Sequence, residues 1–122
     1  MKKIAVAVAG FAMLFTLAQA SHAEKMLSGD DIKALITNKT IDVSLPNGSK
    51  KWRQYYAADG SSARDNGQKS EWNIDGDKHC NTAATDYPCV GIRDNGDGTY
   101  SRVKDNGGAV VNWTKFVEGK DF

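Results

Sequence analysis

Asn-Gly and Asp-Gly dipeptides recur along most of this chain and constrain its fold more than any other feature. Glycine adopts positive φ angles at little steric cost, so such dipeptides are typical of the tight turns in β-hairpins. They divide the chain at residues 47–48, 59–60, 66–67, 75–76, 95–98 and 106–107. The pattern predicts a series of hairpins.

Between these turns, apolar residues alternate with polar ones, which is the pattern of strands with one buried face. The residues expected in the core by this parity include Ile41, Val43, Trp52, Tyr56, Trp72, Ile74, Val90, Ile92, Val111, Trp113 and Val117. We expect about seven short strands in a mainly β fold. The sheet is a small antiparallel meander, either open and twisted or closed as a barrel, because strand edges need to be paired or covered.

One short amphipathic α-helix near the N-terminus, at about residues 29–37, is expected in addition to the strands. Ser28 is a suitable N-cap, and Asp30 and Asp31 suit the positive end of the helix dipole. Ile32 and Ile36 fall on one face at helical spacing. The helix is expected to cover one edge or end of the sheet.

The first residues have the three regions of a secretory signal peptide. Lys2 and Lys3 precede an apolar run of about 14 residues, which is shorter than the roughly 20 that span a bilayer. Small residues follow, so we expect cleavage after Ala23, with Ala20 as the alternative site. The predicted domains are the signal peptide, 1–23, and one β domain, 24–122. We expect the β domain to work in the periplasm or outside the cell, without stable insertion into a membrane.

Removal of Lys2 and Lys3 leaves 14 basic and 15 acidic residues, a net charge of about −1. A domain this close to neutral lacks the basic surface that binds nucleic acid. We therefore expect no nucleic-acid partner.

Cys80 and Cys89 are the only cysteines, and both lie in the exported part. Exported compartments are oxidising, so the pair predicts a structural disulfide that staples the domain. A redox pair would usually have C-x-x-C spacing. A metal site with His79 and Asp77 is the other alternative, but it matches no zinc pattern. No cofactor and no metal site are predicted.

No motif predicts catalysis. The chain has no G-x-S-x-G elbow, and His79 would have to use Ser70 or Ser101 in a triad without local support. By parity, Arg53, Tyr55, Tyr100 and Arg102 are expected on the exposed faces of two strands. Exposed Tyr and Arg often anchor partners, but they also form cross-strand pairs that only stabilise a sheet. These four residues are the candidate binding surface.

Tyr55–Gly60 has the pattern Y-Y-x-x-D-G, and Trp72–Cys80 has the pattern W-x-I-x-G-D-x-x-C before a second cysteine, Cys89. This combination resembles a family of small exported bacterial proteins, mostly of unknown function. The resemblance implies export, a β fold and the cysteine pair, and it supplies no catalytic residues. The segment Asn81–Pro88 departs from the family pattern and is a candidate recognition loop.

The leading hypothesis is an exported, non-enzymatic binding protein whose partner is a protein or a glycan. A rigid stapled β scaffold without a catalytic constellation favours it. One alternative is a periplasmic carrier whose barrel holds a small molecule or haem. The other is a small hydrolase that uses His79.

Export is expected to yield a chain that starts at Glu24 and lacks two hydrogens because Cys80 and Cys89 are oxidised. The denatured mass of protein recovered from the exported fraction measures both. A chain that starts at Ser21 would instead support cleavage after Ala20. A mass that includes residues 1–20 would contradict export with cleavage.

Overall fold

Each turn in the chain folds a strand back against the one before it, and the result is a sequence of antiparallel neighbours. The computed structural model describes residues 23–122, so the predicted signal peptide lies outside the described residues apart from Ala23. The elements are β1 Lys25–Met26, α1 Gly29–Ile36, β2 Lys39–Ser44, β3 Lys51–Tyr56, β4 Ser61–Arg64, β5 Lys69–Asp75, β6 Lys78–Asn81, β7 Cys89–Asp94, β8 Tyr100–Val103 and β9 Ala109–Glu118. None of the described helices is long and apolar enough to cross a membrane.

Strands β2 to β9 pair in chain order, and β9 also pairs with β2, which closes an antiparallel barrel of eight strands. The short strand β1 pairs with the end of β7 that β6 leaves unpaired. The predicted antiparallel, mainly β meander is confirmed, and it takes the closed form. Closure leaves no long unpaired edge among β2–β9.

The turns show why the Asn-Gly and Asp-Gly dipeptides mark hairpins. Between β4 and β5, the Gly67 N–H donates to the Arg64 carbonyl and the Arg64 N–H donates to the Gln68 carbonyl. Gly67 has φ +92°, and Asn66 accepts a hydrogen bond from the Gln68 N–H through its side chain. This is a tight turn followed by a residue in the left-handed region, which glycine occupies without strain.

Helix α1 begins and ends close to where the sequence predicts. The Ser28 hydroxyl accepts the N–H of Asp31, and Asn38, with φ +62°, ends the segment. Ile32 and Ile36 are fully buried in the core cluster. The prediction that the helix is the N-terminal element is only partly right, because β1 precedes it.

The helix packs against β2, β5 and β6, where it covers the barrel end that carries the Gly76 turn. The Gly29 N–H donates to Asp77 Oδ1 at 2.7 Å, which ties the helix start to that turn. The opposite end of the barrel, where β2, β4, β6 and β8 finish, is not covered by the helix.

Most of the predicted core is confirmed: Trp72 and Trp113 are buried, and Trp52 is half-buried. The placement of Val117 on the core face is wrong. A β-bulge opposite Asp42 and Val43 adds one residue to β9, and the inward position passes to Phe116, opposite Ile41.

Replacing Gly29 with Ala is expected to destabilise the protein, although alanine is the better helix former. A Cβ at this position would overlap the carbonyl oxygen of Gly76, so the helix would have to move off the barrel. We expect a loss of about 1–3 kcal/mol in the free energy of unfolding, measured by urea denaturation. Lys33→Ala, at an exposed position of the same helix, is the control and should change stability little. Equal stability of Gly29→Ala and wild type would contradict this packing.

Candidate functional site

The uncovered end of the barrel contains a pocket of about 340 Å³, here called the mouth pocket. Its wall is formed by side chains of six strands, β2, β3, β4, β6, β8 and β9, and by the loop between β6 and β7. The lining includes Val43, Leu45, Trp52, Gln54, Tyr56, Arg64, Asn81, Asp86, Tyr87, Arg102, Val110, Val111 and Trp113. Mouths of β-barrels are common places for ligand sites, and this volume lies at the small end of the usual range.

Arg102 is the most constrained side chain of the mouth pocket, with only 4% of its surface exposed. Its Nε donates to His79 Nδ1 at 3.1 Å. Its Nη2 lies 3.2 Å from the carbonyl oxygens of His79, Tyr87 and Pro88. All these acceptors are neutral, and Arg102 makes no ion pair with any residue in 23–122. Burial lowers the pKa of Arg102 from its ordinary value.

Arg64 is the second cation of the mouth pocket. Its guanidinium carbon lies 4.2 Å from the centre of the Trp52 ring, a cation–π contact. Its Nε is buried and has no hydrogen-bond partner within the described residues. A buried donor without a partner costs free energy unless something else satisfies it.

A buried tyrosine lines the mouth pocket together with both arginines. Tyr56 is 2% exposed, and Asn81 Nδ2 donates to its hydroxyl at 3.4 Å. Burial raises the pKa of Tyr56, while Arg102 and, more weakly, Arg64 act in the opposite direction. Both guanidinium charges therefore favour a negative charge at this part of the wall.

His79 lies below the mouth pocket and is fully buried. Its ring meets those of Tyr56 and Trp113 edge-on, with centroids 5.2 Å and 5.3 Å away. Burial, followed by the charge of Arg102, holds the pKa of His79 well below 6.5, so the imidazole is neutral. Because Nδ1 accepts from Arg102, the proton belongs to Nε2, which is buried without a partner among residues 23–122.

The loop between β6 and β7 forms part of the pocket wall and is held in place by a disulfide and by hydrogen bonds from Arg102. The predicted disulfide is confirmed: Cys80 and Cys89 are direct partners across β6 and β7 and form a bond. Arg102 holds the inner side through the carbonyls of Tyr87 and Pro88. A disulfide of this kind is typical of an oxidising compartment.

The alternative metal site is not assembled. His79 points into the barrel, whereas the neighbouring residue Cys80 is bonded to Cys89. No group of three or more His, Cys, Asp or Glu side chains suited to a metal ion occurs in the part of the chain that the structure describes.

The structure divides the four residues of the predicted binding surface between two faces. Arg53 and Tyr55 lie outside the barrel, where Arg53 pairs with Asp42 and Asp121. The expected exposure of Tyr100 and Arg102 is wrong. Tyr100 is opposite Trp113, and Arg102 is opposite Ile92 and Val111, so both side chains point inward. Whether Arg53 and Tyr55 contact a partner stays a prediction.

Sequence reasoning missed Arg64, Asn81 and the inward role of Arg102. Strands β4 and β6 have few apolar residues, because their inward positions are Ser62, Arg64, His79 and Asn81. The available signal was the length of chain between flanking turns, which leaves room for a strand whose inner face is polar.

Two of the other grooves are considerably larger in volume, but their linings are less suited to a specific ligand. One, about 530 Å³, lies beside the disulfide, and the other, about 930 Å³, lies along β1 and β7. Neither is lined by a buried polar atom that lacks a partner, and among the described residues only Arg64 and His79 have such atoms. The mouth pocket is therefore the best candidate site.

Comparisons with known proteins add no further constraint. No family model matches the chain, and neither the curated proteins nor the solved structures contain a significant match. The resemblance to small exported bacterial proteins stays a prediction.

Stability is expected to fall as the pH drops from 7 to 5, because the unfolded chain protonates His79 near pH 6.5 while the folded protein does not. The slope should approach 1.4 kcal/mol per pH unit, measured by denaturation at each pH. Hydrogen bonds from Ser61 and Thr99 lower the pKa values of Asp59 and Asp97. These two carboxylates affect the pH dependence of stability only below about pH 4.

His79→Gln is the variant that should lose this slope. The imidazole proton signals of wild type test the same point without a mutation. In the folded state they should show no titration with a midpoint near 6.5, and such a midpoint would contradict a buried neutral His79.

Proposed function

We propose that this chain is an exported, non-enzymatic binding protein whose ligand is a small molecule held in the mouth pocket. It acts in the periplasm or outside the cell, in keeping with the signal-like N-terminus and the disulfide. This is the carrier form of the hypotheses that the sequence raised, with the pocket at the mouth of the barrel instead of its centre.

One observation carries the proposal: two arginines, Arg64 and Arg102, line an apolar pocket without a carboxylate partner among the described residues. A buried charge is expensive unless it is compensated. Sites for small ligands combine apolar walls with a few placed polar groups, which is the composition found here.

The packing of side chains at the centre of the barrel favours a small ligand at the mouth over a large prosthetic group in the interior. Trp113, Tyr56 and His79 are buried there in contact with one another. An eight-stranded barrel has an interior that side chains can fill. Haem would need space and a presented imidazole, whereas His79 is enclosed and engaged by Arg102.

The same burial argues against a hydrolase that uses His79. A general base must come within hydrogen-bond reach of the proton that it removes. Here Nδ1 accepts from Arg102, and Nε2 lies among aromatic rings away from solvent. Within the described residues, His79 is not presented as the base of a nucleophile–base pair, which supports binding over hydrolysis.

The segment Asn81–Pro88, predicted as a recognition loop, supports the proposal by its position. Residues 83–87 line the mouth pocket, and the disulfide and Arg102 hold their backbone. A loop that is fixed in advance loses little entropy when a ligand binds.

Native mass spectrometry tests the proposal on protein incubated with the small-molecule extract of the exported fraction. Wild type should show a discrete excess over its denatured mass. Val110→Trp, which places an indole in the mouth pocket, should lose it, because Val110 is a wall residue. Val117→Trp, on the same strand but outside the pocket lining, is the matched control and should keep it. An excess that persists in Val110→Trp, or its absence from wild type, would contradict the proposal.

A further inference from the structure

We propose that the mouth pocket takes a small organic acid, with its carboxylate facing Arg64 and Arg102 and its apolar body against the wall. This inference rests on the proposed function and specifies its ligand class. It requires one negative charge and one apolar portion in the same molecule.

The donors of the two guanidinium groups support an anionic head group. Arg102 uses Nε and Nη2 for its neutral acceptors, and Nη1 donates no hydrogen bond to any residue in 23–122. Arg64 has a buried Nε without a partner. Guanidinium N–H groups match a carboxylate in geometry, and such charged hydrogen bonds are roughly twice as strong as neutral ones.

Charge balance favours a monoanion over a polyanion. Asp86 is the one carboxylate among the residues that line the mouth pocket, and it lies on the exposed loop. Together with Arg64 and Arg102 it leaves a net charge of about +1 around the pocket. A single carboxylate neutralises that charge, whereas a second negative charge would face Asp86.

The rest of the wall supports an apolar body. Val43, Leu45, Val110 and Val111 contribute aliphatic surface, and Trp52 is already held in place by Arg64 and by the hydrogen bond from its Nε1 to Gln54. Each methylene removed from water favours binding, so even a short chain adds measurable affinity. A simple inorganic anion would not use this surface.

Isothermal titration calorimetry with a matched series tests the ligand class. The probes are 4-phenylbutyrate, 4-phenylbutanamide and 4-phenylbutylamine, which share one apolar body and differ in charge, together with inorganic phosphate. We expect the acid to bind at one site at least tenfold more tightly than the amide. We expect no detectable binding of the amine or of phosphate.

Matched arginine variants test whether the arginines of the mouth pocket bind the carboxylate. Arg64→Gln is expected to weaken 4-phenylbutyrate at least tenfold, and Arg64→Lys should retain part of the affinity because the charge remains. Arg53→Gln removes an arginine from the outer face of the barrel and is the control, with unchanged affinity expected. Arg102→Gln removes the second arginine of the mouth pocket, and circular dichroism shows whether this variant folds. The test with Arg64→Gln does not depend on that result.

The outcomes separate this inference from the proposed function. Equal affinity for acid and amide, or unchanged affinity in Arg64→Gln, would overturn the anionic ligand and leave a binding pocket in place. Tight binding of phosphate would overturn the need for an apolar body. Failure of every probe to bind, combined with a native mass excess in wild type that Val110→Trp loses, would overturn the organic acid alone. Failure of both experiments would overturn the proposed function as well.

Discussion

The contact between Arg102 and His79 is the interaction on which the rest of the site depends. It joins β8 to β6 through the barrel interior, and the same guanidinium holds the loop that closes part of the mouth. Because the partners are carbonyl oxygens and a neutral imidazole, hydrogen bonds stabilise the charge of Arg102, but no opposite charge neutralises it. The barrel therefore has a positive charge fixed at one end of its interior, in a place where water is largely excluded.

The two ends of the barrel have different roles because different elements cover them. Helix α1 packs Ile32 and Ile36 into one end and completes the apolar core. At the other end, the loop between β6 and β7 forms part of the pocket wall and is fixed by Cys80–Cys89 outside and by Arg102 inside. The covered end stabilises the fold, and the uncovered end is left for the ligand chemistry that we propose.

The sequence predicted the scaffold well and the candidate site poorly. The turns, the helix cap at Ser28 and the aromatic core at Trp72 and Trp113 all follow from local patterns, and the structure has them. The prediction of the site failed because several of its inward residues, among them Arg64 and Arg102, are charged or polar. Arg102 was assigned to the outside with Tyr100, since a parity argument treats a charged residue in a strand as exposed.

By itself, the sequence determined where the chain turns, because a turn is closed by hydrogen bonds within about five residues, as between Arg64 and Gln68. It also determined the disulfide pairing, because each of the two cysteines had only one possible intramolecular partner. Only the tertiary structure decided that β9 returns to β2, that a bulge moves Phe116 inward, and that Arg102 faces His79. These features depend on the register between strands far apart in the chain, and a shift of one residue reverses the face on which every side chain lies.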